Sequence, residues 1–187
     1  MEPIFFFDKE MIVKFADGHH RPYKYFWYDD IVVMYAPEFG NAFAMDKFRF
    51  NGEIIGDDQF VNKSFIVLND IKKDKVHLLC TFYHELGHIK LNHLKDYTGE
   101  GRAEAMARDE VYYAELEADK YAFEKMGRNK TIDWLESILS WLENQVLARE
   151  HEEELRGLSE QGKEGLVKYK QARSEVMKRL EVVRGLK

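Results

Sequence analysis

Residues 74–94 read DKVHLLCTFYHELGHIKLNHL, and the spacing of their apolar positions predicts a helix from about Asp74 to His93. With side chains about 100° apart around the axis, Leu78, Leu79, Phe82, Leu86 and Ile89 fall on one side. His77, Thr81, His84, His88 and Leu91 fall on the other. The helix therefore has an apolar back for a core and a polar front. Mobile charged side chains normally fill such a front, but here two histidines flank a glutamate. His84 and His88 lie one turn apart on the same face. Two imidazoles so placed can grip one zinc ion, with Glu85 projecting beside them as a general base.

Upstream of this helix the pattern is that of strands. MIVKFA, YKYFWY, IVVMYA and SFIVLND are rich in β-branched and aromatic residues, and Asp17-Gly18 and Asn51-Gly52 sit between such runs as turn signals. Residues 37–63 predict a long loop with a short hairpin. Downstream, a second helix runs from about Arg102 to Met126 and stops at Gly127. Ile132, Leu135, Leu139, Leu142 and Val146 give a third helix its apolar stripe. Trp134, Ile138 and Trp141 widen that stripe and predict a well-buried helix. From about 149 a charge-dense helical tail follows, interrupted by Gly157, Gly162 and Gly165. Its last seam is Leu166, Tyr169, Ala172, Val176, Leu180 and Val183. The outline is α+β, a small N-terminal sheet packed on the histidine helix and followed by a helical C-terminal region. The boundary falls at about residue 130, with 131–187 as the extension.

Composition narrows the function. The 187 residues carry 34 acidic and 28 basic side chains for a formal charge of −6, which argues against a nucleic-acid binder. One cysteine, Cys80, precludes an internal disulfide and fits a reducing cytoplasm. MEPIFFFDKEMIVKF lacks a basic n-region and acidic residues interrupt it, so it does not read as a secretory leader. YKYFWYDDIVVMYA is too short to span a bilayer.

A zinc site needs a third protein ligand. In HExxHxxGxxH a glycine turns the chain so that the last histidine reaches the metal. Here Leu91 and Leu94 hold the glycine and last-histidine positions, so His93 reads as a residue behind the ligands or at the helix end. His19 and His20 read as a loop pair, and Cys80 as a buried thiol. The second helix offers VYYAELEADKYAFEKMG. Val111, Glu115, Ala118, Ala122 and Met126 lie along one stripe, bordered by Leu116, Asp119 and Phe123. Glu117 lies on the opposite, solvated face with Glu110, Tyr113, Lys120 and Glu124. An inward carboxylate without a partner is costly. Glu115 as zinc ligand and Asp119 as acceptor for the outer N–H of a ligand histidine would satisfy both acids. Pairing of the two acids with surface lysines or Arg108 is the plainer alternative.

HELGH followed by ELEAD resembles the gluzincin metallopeptidases. There HExxH supplies two ligands and a glutamate on a later helix the third. The ExxAD form is similar to the HtpX-type peptidases, and the short separation on a small chain is more similar to the ImmA/IrrE group. The resemblance covers roughly residues 64–126. It implies a zincin-like fold, one Zn²⁺ per chain held by His84, His88 and Glu115, catalytic Glu85, and Asp119 as the motif's second acid. It also implies an intracellular endopeptidase in which Glu85 takes a proton from zinc-activated water and delivers it to the leaving amine. ImmA/IrrE proteins usually carry Asn where Asp119 stands.

Candidates for the oxyanion donor are Tyr112, Tyr113 and His77. SFIVLND occupies the place of the zincin edge strand that holds a peptide by strand addition. The partners expected are a protein or peptide substrate, with no nucleic acid and no membrane. The helices of 131–187 either pair with another chain, a partner or a second copy, or cover the protein's own core. The competing function is a non-catalytic binding or regulatory module stabilised by zinc on the same scaffold.

Overall fold

The computed structural model describes residues 3–15, 17–45, 52–54, 58–60, 62–70, 74–94 and 109–187. Six strands form one sheet: β1 (Lys9–Phe15), β2 (His20–Tyr28), β3 (Ile31–Tyr35), β4 (Phe43–Met45), β5 (Gly52–Ile54) and β6 (Phe65–Leu68). Four α-helices follow among the described residues. They are α1 (Lys75–Lys90), α2 (Glu110–Met126), α3 (Arg128–Arg156) and α4 (Glu160–Gly185). The fold is α+β, and the chain divides into two compact units, Met1–Ala122 and Phe123–Lys187.

The sheet order is β4-β6-β3-β2-β1-β5. Only β3 and β6 run parallel, with Val32 opposite Phe65 and Tyr35 opposite Leu68. The other pairs are antiparallel. All four expected strands form. Gly18, at φ +84°, makes the β1–β2 turn with its N–H on the carbonyl of Phe15, a conformation glycine adopts without steric cost.

Two expectations fail here. SFIVLND does not lie at the edge, because β6 runs between β3 and β4, and β4 is the edge strand. Nor do residues 37–63 supply a hairpin among the described residues. Their two strands, β4 and β5, pair with β6 and β1 at opposite edges of the sheet. Three-residue strands carry too few positions to show alternation, so the strands they join decide their place. Asn51 lies outside the described residues, and Gly52 opens β5.

Alternation along the strands fills both faces of the sheet. Met11, Val13, Tyr23, Tyr25, Val32, Met34, Phe65 and Val67 share one core with Phe60. On the other face the Phe82 ring meets Tyr28 at 5.0 Å and Phe5 at 5.7 Å. The apolar back of α1 does what its phase demands: Leu78, Leu79, Phe82 and Leu86 are buried. Asp74 caps α1 by accepting from the N–H groups of Val76 and His77, satisfying donors that a helix start leaves open.

Gly87 sets how closely α1 and α2 approach. A Cβ there would stand 3.1 Å from the Ala118 Cα and 3.1 Å from the Tyr121 Cβ. Backbone cannot swing aside, so Gly87→Val is expected to cost about 1–3 kcal/mol by overpacking. Pushing α2 outward also carries off Glu115, one turn before Ala118. Denaturant melts and zinc titration of this variant check both effects.

In the second unit, Gly127 at φ +83° separates α2 from α3, and Gly157 at φ +72° separates α3 from α4. Gly162 and Gly165 do not interrupt. Gly162 lies in the first turn of α4, where its N–H donates to the capping hydroxyl of Ser159. Gly165 faces the Arg149 guanidinium. Helices α3 and α4 pair antiparallel, through Lys170 to Glu150 at 2.7 Å and Arg184 to Glu136 at 2.6 Å. The expected seam holds at Leu135, Leu142, Val146, Val176, Leu180 and Val183, which are buried. Trp141 is 47% exposed and leans its ring on Tyr169 at 5.8 Å, so it does not widen the buried stripe. No helix among the described residues is long and apolar enough to cross a membrane.

Candidate metal centre

Two helices supply the site. His84 and His88 project from α1, Glu115 from α2, and the three can hold one metal ion. The two Nε2 atoms are 3.2 Å apart. Oε2 of Glu115 lies 3.4 Å from His84 Nε2, and its Oε1 lies 3.5 Å from His88 Nε2. Zinc bonded tetrahedrally to nitrogen and oxygen at about 2.0–2.1 Å separates its ligands by about 3.4 Å. The donor spacing therefore fits, and so does the donor chemistry.

The electrostatics favour a cation. Burial by itself would push the His84 imidazolium down. Hydrogen bonds and charge from Asp119 and Glu115 outweigh it and hold the pKa up at about 10. A ligating imidazole must surrender the proton from its ligating nitrogen, so a metal ion would take the place of the charge that these carboxylates stabilise. Asp119 is fully buried and accepts from His84 Nδ1 at 2.9 Å. That bond leaves Nε2 of His84 turned toward Glu115 and His88, the nitrogen that would hold a metal once its proton is given up.

Glu85 stands beside the triad at 7% exposure. Burial raises its pKa, against the lowering effects of His84, His88 and an N–H bond from Ala44. A carboxyl moved up from its ordinary range is better matched to proton transfer near neutral pH. The Ala44 contact also locates the site next to the edge strand β4.

The remaining expected residues disperse. His77 pairs with Asp74 at 2.8 Å in the first turn of α1, about 10 Å along the axis from His84. Tyr112 lies one turn before Glu115 on the same face. Tyr113 is 59% exposed and touches Tyr112 edge to face. Cys80 is buried. His19 is exposed in the β1–β2 turn, whereas His20 is not in the loop but opens β2, exposed and opposite Lys14. Arg108 lies outside the described residues.

His93 stands where the sequence reading has it, past the helix end and behind a ligand histidine. Helix α1 ends at Lys90, and the chain doubles back to bring the His93 ring beside His88, with centroids 5.4 Å apart. Glu117, on the solvated side of α2 as expected, pairs with His93 Nε2 at 2.9 Å. The signal for this is Asn92. Asparagine just past the last periodic position is a helix stop that tolerates the left-handed conformation, and Asn92 adopts φ +59°. No protein-family model matches the chain, and neither does any curated protein or solved structure.

Proposed function

We propose that the protein is a zinc-dependent metallopeptidase, of the gluzincin type that HELGH and ELEAD resemble and nearest in pattern to the ImmA/IrrE group. The observation that carries this reading is the donor spacing of His84, His88 and Glu115, with a buried, proton-ready Glu85 beside it. Three protein ligands are the number found at catalytic zinc sites, where the metal supplies Lewis acidity and a more acidic water.

The chain's own residues do the rest. Glu85 takes the proton from the attacking water and passes it to the departing amine. Asp119 keeps His84 in the ligating tautomer. The outer edge of β4 offers backbone groups to an extended peptide, which would bind as an added strand next to Glu85. Tyr112, on the face of Glu115, is better placed than Tyr113 to reach a developing oxyanion. A reducing cytoplasm, which suits an unpaired Cys80, is the proposed compartment.

Purified protein is expected to carry about one zinc per chain by elemental analysis. It should also cleave an unfolded protein substrate in a way that a chelator stops and added zinc restores. Zinc content without turnover would favour the binding-module reading of the same scaffold. Absence of zinc uptake would refute both.

A further inference from the structure

The way α1 ends gives His88 a support of its own. The N–H of Asn92 bonds the carbonyl of Ile89 at 3.2 Å, and the N–H of His93 bonds that of His88 at 2.9 Å. These crossed bonds, with Asn92 left-handed, are a Schellman stop. The reversal brings Nδ1 of His93 to 3.3 Å from Nδ1 of His88, while its Nε2 meets Oε2 of Glu117 at 2.9 Å. The His93 side chain is 11% exposed and that of Glu117 58%.

We propose that His93 and Glu117 form a positioning pair that orients His88 and fixes its tautomer for metal binding. The inference rests on the metal-centre reading and deepens it. Nε2 of His88 faces His84 and Glu115, so its lone pair must be free there and the ring proton must sit on Nδ1. That proton is donated to Nδ1 of His93. The His93 proton then sits on Nε2 and is donated to Glu117. The reverse assignment would place a proton on His88 Nε2 and block ligation. One wiring therefore satisfies every bond, and it mirrors the direct support that Asp119 gives His84. The difference is that Glu117 acts through a second imidazole and from solvent, so its own share is smaller.

The test is zinc affinity by chelator competition on the full chain, together with the visible absorption of the Co²⁺-substituted protein. His93→Ala is expected to weaken zinc binding by about 10–100-fold and to shift the Co²⁺ bands. His93→Asn keeps an acceptor where Nδ1 stands and should recover most of the affinity. Glu117→Ala should cost less, and nothing further when added to His93→Ala. Melts of the chelator-treated proteins show whether each variant folds. If His93→Ala does not fold, Glu117→Ala and His93→Asn carry the test. Wild-type affinity and an unchanged Co²⁺ spectrum in folded His93→Ala overturn the pair. So does equal weakening in His93→Ala and His93→Asn, or, where only the other two variants fold, an unaffected Glu117→Ala. Failure of the metal reading looks different: wild type would bind zinc no better than His84→Ala.

Discussion

Glu85→Gln is expected to leave zinc in place and to lower peptide hydrolysis by about 10²–10⁴-fold, the contribution of a positioned general base. The substitution keeps shape and keeps an oxygen to accept the Ala44 N–H, but it removes the group that can take and return a proton. Glu85 is not among the three ligand residues, so metal content should not change. Stability should hold as well, because a buried carboxyl gives way to a neutral amide that costs less to bury. Paired measurements of zinc content and turnover decide it. Hydrolysis surviving at the wild-type rate would remove Glu85 from the mechanism and leave the metal centre standing.

The second large effect is at the third ligand. Glu115→Ala leaves two imidazoles to hold the ion, and zinc affinity is expected to fall by more than the about 100-fold that marks the upper end for an outer partner. Glu117→Ala, two residues along the same helix, should lose far less because Glu117 reaches His88 only through His93. Chelator competition on the two variants side by side gives the comparison. Equal retention of zinc in both would contradict the assignment of Glu115.

Much of this arrangement is legible in the chain. Helical period alone separates the buried back of α1 from His84 and His88. The same period on α2 turns Glu115 and Asp119 inward, because four-residue spacing fixes direction regardless of what the helix later meets. The strands MIVKFA, YKYFWY, IVVMYA and SFIVLND announce themselves by β-branched and aromatic runs. Trp141 shows the limit of such reasoning. Its phase fits the apolar stripe, yet at 47% exposure it sits at the margin of the α3–α4 pair, since a stripe says nothing of how wide its partner is.

The sequence by itself determined the α+β class, the two histidines, the glutamate beside them and the inward direction of Glu115, all of which follow from local periodicity. Only the tertiary structure decided which strand forms the sheet edge beside Glu85, and that His93 meets both His88 and Glu117. The physical reason is the same in both cases. Strand order depends on pairing between segments distant in the chain, and a three-residue strand has no pattern of its own. The place of His93 depends on one backbone reversal at Asn92, which undoes the helical phase that every earlier position obeys.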